Sequence, residues 1–335
     1  MKRVGIIFGG ANSEHEVSCH SAESVVEHLD AELYEAVLIG IDRGGLWHRV
    51  SSIAELETTV AGTRLPDLEN LDVVFPVLHG RFGEDGTVQG MLELAGLPYV
   101  GCGVLASALA MDKQLTQRVL EASGIPTIKT RSVTAATAQS AGVLAAEIGY
   151  PVFVKPNRAG SSVGASRVDT PEGLVDAVAL ALAQDSVALI QQTVVGDEID
   201  LGVLQELDGT IAVGAPLRIL TSDSTVFFDY AAKYTAGGGA TLEVPAQIPE
   251  TVAEQLVAYA KLAFETLGCE GLARVDFFVG ADGVITLNEV NTLPGLTAFS
   301  QFPRMWQAKG LSYTALLSQL IERALIARSA QSVPA

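Results

Sequence analysis

The stretch from Gly271 to Thr297 constrains this chain more than any other. Two strand-like runs, 273–279 and 284–290, flank Ala281-Asp282-Gly283. A two-residue type I′ turn at Asp282-Gly283 predicts a hairpin in which Asp276 faces Glu289 and Arg274 faces Asn291, all on one face. Directly opposed carboxylate residues have Cβ atoms only ~5 Å apart, and like charges there destabilise a sheet. Long apolar runs surround these groups, and burying unpaired carboxylates is costly. A divalent cation reverses that penalty. Two carboxylates and an amide oxygen suit Mg²⁺, which completes its shell with phosphate and water. The hairpin therefore reads as a metal site for a phosphate ligand.

The chain of 335 residues is 48% hydrophobic, enough for two or three packed domains. Its formal charge of −18 opposes non-specific nucleic-acid binding and attraction to an anionic membrane. Three cysteines, Cys19, Cys102 and Cys269, have neither metal spacing nor a disulfide framework. The apolar run after Met1-Lys2-Arg3 is too short for a signal peptide, and nothing approaches the ~20 apolar residues of a membrane span. These features lead us to expect a cytoplasmic protein.

The first hundred residues alternate strand and helix signals, as a parallel α/β domain does. Strands are expected over 4–8, 34–41, 73–78 and 98–101, with a helix capped by Asn12 or Ser13 and running to about Leu29. Ligands in such sheets collect beyond the carboxyl ends of the strands, which puts 9–16 and 79–86 at one rim. A helix over 106–123 follows. A second unit has a strand at 152–155, a glycine turn at 160–164 and a helix from Pro171 to about 183. Further strands are expected at 188–192 and 198–204, with helices at 251–267 and 312–327. We expect three units: 1–105 with the first substrate's site, 106–187 with the phosphate loop, and 188–335 with the metal site and a polar Gly237-Gly238-Gly239 loop.

Lys155 closes an apolar strand and precedes Pro156-Asn157-Arg158-Ala159-Gly160-Ser161-Ser162-Val163-Gly164. Glycines and serines let backbone N–H groups approach phosphate oxygens, and lysine adds a point charge. The segment is not a Walker loop, and Gly9-Gly10 is not a dinucleotide fingerprint. Alone, such a loop is most often an ordinary hairpin; beside a magnesium site it becomes a phosphate cradle. Met111-Asp112-Lys113 in a helix and Lys233-Tyr234 before the glycine triplet would not stand by themselves.

Taken together, these residues resemble the ATP-grasp superfamily, and within it the D-alanine–D-alanine ligases. The resemblance rests on GGANSEHEVS (Gly9 to Ser18), HGRFGEDGTVQG (His79 to Gly90) and AMDK (Ala110 to Lys113). It continues with VKPNRAGSSVG (Val154 to Gly164), DYAAKY (Asp229 to Tyr234), ARVD (Ala273 to Asp276) and NEVNTLPG (Asn288 to Gly295). It implies a mixed α/β and α+β architecture: an ATP-grasp fold behind an N-terminal parallel α/β domain.

The resemblance also implies a two-step reaction. ATP phosphorylates one D-alanine carboxylate, and the amine of a second D-alanine attacks the acyl phosphate, giving a dipeptide for peptidoglycan synthesis. On these residues, Lys113 and Lys155 would contact the α/β phosphates and Lys233 the γ-phosphate, with Ser162 in the phosphate loop. Asp276, Glu289 and Asn291 would hold two Mg²⁺ ions, with Mn²⁺ as an alternative. Arg274 and the Gly295 backbone N–H would stabilise the developing oxyanion. Glu14 would bind the first ammonium with His79 nearby, and Ser300 the second carboxylate. Ser161 would bond Tyr234 as the loop closes and excludes water. Glu198 would bind the ribose, while Gln191, Val194, Phe227 and Phe278 would meet the base. A homodimer is also implied.

One departure is Gln191, where the family commonly has glutamate; glutamine keeps an acceptor and loses the charge. A D-lactate ligase is disfavoured by Lys233-Tyr234, whereas the polarity of Gln301 leaves room for the hydroxyl of a D-serine ligase's substrate. A non-catalytic nucleotide-binding protein requires loss of a catalytic group that this chain retains, and a nicotinamide dehydrogenase requires a G-x-G-x-x-G fingerprint that it lacks.

Overall fold

The computed structural model describes residues 1–160, 163–221 and 240–331. Ser161, Ser162, Phe227, Lys233 and Tyr234 therefore lie outside the described residues, as does the glycine triplet.

Three sheets organise the chain. The first has strand order β3-β2-β1-β4, built from β1 (Lys2–Gly9), β2 (Tyr34–Ile41), β3 (Trp47–Val50) and β4 (Val73–Pro76). β1 runs parallel to β2 and β4, while β3 turns back antiparallel on β2. The parallel core matches expectation. β3 was not anticipated, and the strand expected at 98–101 is only a single bridge between Val74 and Tyr99. Helix α1 (His15–His28) starts after Glu14, which makes no side-chain capping bond. Asn12 is not its cap: Asn12 Oδ1 accepts the Glu14 N–H at 2.9 Å in a local turn.

The second sheet has order β5-β8-β6-β7, from Thr130–Thr134, Val152–Pro156, Ser166–Val168 and Val187–Gln192. β8 (Val187–Gln192) pairs with both β5 and β6, so this sheet runs a few residues past the expected division after 187. The third sheet has order β12-β11-β9-β13-β14 with β10 on β9, where β10 is Ile211–Val213, β11 Leu217–Thr221 and β12 Ala240–Glu243. β9 (Asp197–Gln205) and β13 (Leu272–Val279) are central, and β14 (Ile285–Asn291) is the edge strand beside β13.

The first and third units share a core. The carboxy-terminal helix (Tyr313–Gln331) lays Leu316, Leu320 and Ile321 against Phe8 and Phe75 of the first sheet. Glu322 on that helix bonds Lys2 Nζ at 2.6 Å and the Tyr34 hydroxyl at 2.8 Å. The second sheet has its own smaller core, with Val152, Val154 and Ile190 against Ala177 and Ala181. Two fused units and one semi-independent unit thus surround the cleft. Among the described residues, no helix is long and apolar enough to cross a membrane.

Candidate active site

The hairpin delivers the expected pairing by a different route. Arg274 pairs with Asn291 and Asp276 with Glu289, but Phe277 pairs with Leu287. Asn288 is therefore an extra residue, a β-bulge. The turn is not type I′ either, because that turn needs positive φ at both central residues and Gly283, not Asp282, has it (φ 80°). The bulge cancels the turn's extra residue and restores the register at the site. Its cause is the core: Ile285 and Leu287, then Val290, must all face the buried side. Apolar spacing of two, then three, marks the bulge in the sequence.

Arg274 binds Asp276 bidentately, Nε to Oδ1 at 2.7 Å and Nη2 to Oδ2 at 2.8 Å. Its Nε also lies 3.6 Å from Asp200 Oδ2. Burial works against the guanidinium's charge, but Asp276, Asp200 and Glu289 outweigh it and raise the pKa well above its usual value. Asp200 lies directly across from Asp276 on β9, and Glu198 across from Phe278, so all four share one face of the sheet.

The loops after β1 and β4 form the opposite wall. Asn12 Nδ2 donates to the carbonyls of His79 and Arg81, both at 2.9 Å, and so ties the two loops together. Ser18 accepts the Gly9 N–H at 2.8 Å and donates to the Val77 carbonyl. Gly80 (φ 69°) must be glycine, since a Cβ there would lie 1.9 Å from Glu14 Oε2. Glu84 Oε2 accepts the Gly80 N–H at 2.6 Å. Burial, then repulsion by Glu14, pushes the Glu84 pKa up to about 8. Burial also pushes His79 down to about 4, opposed by a hydrogen bond with the Leu293 backbone and helped by Arg274. Both shifts favour the uncharged form, so the imidazole loses its proton and the Glu84 carboxyl keeps its own more readily than usual beside Glu14.

Between the walls lies a cleft of about 550 Å³. Of the residues expected at the site, Glu14, His79, Lys113, Arg274, Glu289, Asn291, Gly295 and Ser300 line it together. The expected helix over 106–123 is in fact two, α3 (Val104–Met111) and α4 (Lys113–Ala122), broken at Asp112, whose Oδ1 accepts the Leu115 N–H at 3.1 Å. The break puts Lys113 at the start of α4. From there its Nζ donates to the Ala159 carbonyl at 2.9 Å and lies 3.7 Å from Glu289 Oε2. Asn157, at the start of the glycine loop, accepts the Gln114 N–H at 2.9 Å and anchors the loop to α4. The segment bearing Gly295 and Ser300 is held by Ser24, which accepts the Ala298 N–H at 2.9 Å, and by Tyr313, whose hydroxyl donates to the Leu296 carbonyl. Ser300 Oγ accepts the Thr297 N–H at 3.1 Å.

Other expected residues do not line this cleft. Asp276 is buried beside Arg274. Lys155 and Gln191 lie on one face of the second sheet, across from Leu189 and Phe153 respectively. Gln191 is buried, and its Nε2 donates to Thr130 Oγ1 at 2.9 Å. Glu198 and Phe278 pair on the third sheet, and Val194 sits in the β8–β9 connection.

The hairpin oxygens fit a hard divalent cation. Asp276 and Glu289 are cross-strand partners, with Asn291 two residues on. Both Asp276 oxygens bond Arg274, and Asn291 Oδ1 accepts the Leu293 N–H at 3.1 Å, so a bound ion shares these oxygens with their present donors. Among the described residues no cluster of three or more His, Cys, Asp or Glu is arranged for a metal. The expected set has two carboxylates and an amide.

Two residues of the site carried no expectation. Glu84 falls within the motif 79–90, and only its half-buried place in the cleft wall, within the field of Glu14, shows what it does. Asp200 is legible by alternation, as the polar residue between Ile199 and Leu201 on the same face as Glu198.

Residues 3–102 match the family described as D-ala D-ala ligase N-terminus, and residues 119–322 match D-ala D-ala ligase C-terminus. The chain belongs to the D-alanine–D-alanine ligase family. It is 44% identical to a D-alanine–D-alanine ligase of Nocardia farcinica, over 96% of this chain and 97% of that one. Among solved structures it is similar to the VanG D-Ala:D-Ser ligase from Enterococcus faecalis, with 35% identity, a TM-score of 0.83, and coverage of 96% and 99% of the two chains. It is also similar to the D-alanine–D-alanine ligase from Bacillus anthracis complexed with ATP, with 29% identity, a TM-score of 0.80, and coverage of 99% and 100%. The ATP-grasp architecture expected from the motifs is therefore the family's own.

Proposed function

We propose that this member of the ligase family joins two D-alanine molecules into D-alanyl-D-alanine through a D-alanyl phosphate, converting ATP to ADP and phosphate. The observation that carries the reading is the convergence of Glu14, Lys113, Arg274, Glu289, Asn291 and Ser300 on one cleft. An anion acceptor, a cation anchor and oxygen donors for a metal meet there. The reaction builds negative charge at the carboxyl carbon, and fixed cations and donors stabilise it.

Glu14 receives the first ammonium, and the raised pKa of Glu84 beside it limits the negative charge at that contact. Arg274 and the Gly295 N–H face the developing oxyanion, and Ser300 binds the second carboxylate. Lys113, Lys155, Ser162 and Lys233 hold phosphates. Gln191, Val194, Glu198, Phe227 and Phe278 hold the nucleoside, and Ser161 with Tyr234 closes the site against water. Asp276, Glu289 and Asn291 would hold two Mg²⁺ ions, whose charge offsets that of the phosphates. The roles divide over units 1–105, 106–187 and 188–335. The product serves peptidoglycan synthesis in the cytoplasm, and the enzyme is a homodimer.

A second reading is a D-alanine–D-serine ligase. Gln301 gives the second-substrate end of the cleft a polar side chain, and a similar structure bears that activity in its name. Incubation with Mg-ATP, D-alanine and D-serine decides between them. Mainly D-alanyl-D-alanine is expected, a mixed product favours the second reading, and no D-alanine-dependent phosphate release refutes both.

A further inference from the structure

We propose that Asp200 is a positioning residue that couples Arg274 to the second-substrate segment through Gln301. The inference rests on the ligase reading for the roles of Arg274 and Ser300.

Asp200 is 1% exposed and lies directly across from Asp276, itself 2% exposed. Two buried carboxylates on paired strands repel each other unless a cation and donors compensate. Both are present. A single oxygen, Asp200 Oδ2, faces Arg274 Nε at 3.6 Å and accepts from Gln301 Nε2 at 2.8 Å. Asp200 is thus the joint between the guanidinium and the first residue of the short helix Gln301–Gln307, which directly follows Ser300.

The backbone brings the joint together. Gly202 lies across from Arg274 on the same face as Asp200. A Cβ at Gly202 would stand 3.0 Å from the Phe302 ring and 3.1 Å from Met305 Sδ, so the glycine lets the helix seat directly on β9. That seating places Gln301 within reach of Asp200. Arg274 has its bidentate partner in Asp276 alone; Asp200 adds a lateral charge that fixes the guanidinium's position and transmits it to the Ser300 segment. The electrophile's stabiliser and the nucleophile's anchor are held in one register, and errors of an ångström there cost up to ~100-fold in rate.

The test compares wild type with Gln301→Met and Asp200→Asn, in the full-length protein. Asp200→Asn keeps an acceptor for Gln301 and removes the charge from Arg274. Its kcat is expected to fall ~10–100-fold. Gln301→Met severs the joint from the other side and is expected to raise KM for the second D-alanine by ~10-fold, leaving KM for ATP and the first D-alanine unchanged. The double variant should lose less in kcat/KM than the product of the two single losses, as expected of coupled groups. A merely structural role would lower the melting temperature and leave these constants untouched in folded protein, which overturns the proposal. The ¹⁵N resonance of Arg274 Nε, assigned by its loss in Arg274→Lys, is a second readout that needs no turnover. It should move in both variants; an unmoved resonance refutes the coupling even if D-alanine is not the substrate and the ligase reading has failed.

Discussion

Two walls of one cleft hold carboxyl pairs away from open water, and they solve the same electrostatic problem in opposite ways. On the hairpin wall, Asp276 and Asp200 face each other with Arg274 between them, and the cation keeps its charge. On the N-terminal wall, Glu14 and Glu84 flank Gly80, whose N–H binds Glu84, and Glu84 takes up a proton. Lys113 and Arg274 oppose that protonation, but burial and Glu14 outweigh them. A resident cation preserves charge where the reaction must meet an anion. Holding a proton on Glu84 limits the negative charge beside Glu14, the proposed anchor of the first substrate's ammonium.

The sharpest way to break the comparison is to remove the resident cation. Arg274→Met should abolish ligation and lower unfolding stability by about 3–5 kcal/mol, because it strands two buried carboxylates. Denaturant melts and turnover on the same preparation read both effects, and retained stability would show that the carboxylates are not held by this pairing. Asp276→Asn should leave a folded protein with ligation reduced at least ~100-fold. Full activity in that variant would remove Asp276 from the metal set.

The N-terminal wall predicts a pH signature. The native Glu84 pKa of about 8 is above its usual 4.5, so between these values the folded state holds a proton the unfolded chain has lost. This group therefore makes stability fall as pH rises from about 4.5 to 8, by on the order of a few kcal/mol. Glu84→Gln should flatten that slope, with the largest gain near pH 8; an unchanged slope would place the charge elsewhere. His79 acts on the acid side. Its pKa of about 4 lies below the usual 6.5, so stability is lost as pH falls from 6.5 to 4. This smaller effect should vanish in His79→Gln.

The same contrast explains what could be read in the sequence. The Asp276–Glu289 and Arg274–Asn291 pairings were legible because strand alternation and charge both demand them. The path to them was not: an αL glycine at 283 and a bulge at Asn288 compensate each other, and only core packing of Ile285, Leu287 and Val290 distinguishes that from a tighter turn. The break at Asp112 was hidden inside an apolar helical pattern, although an aspartate before a polar, lysine-led turn is a capping signal. The raised pKa of Glu84 comes first from desolvation in the folded wall and then from Glu14, 70 residues away in the chain, and no local pattern reports either. Asp200 showed its face by alternation but not its partner Gln301, since that contact rests on glycine at 202 admitting a helix.

The central claim is that ATP activates a D-alanine carboxylate as an acyl phosphate in this cleft. It is tested most directly with D-alanine labelled with ¹⁸O in its carboxyl group, supplied with Mg-ATP. The account predicts that each phosphate released with dipeptide carries one ¹⁸O from the substrate, left behind when the second amine displaces it. Dipeptide accompanied by unlabelled phosphate would contradict it.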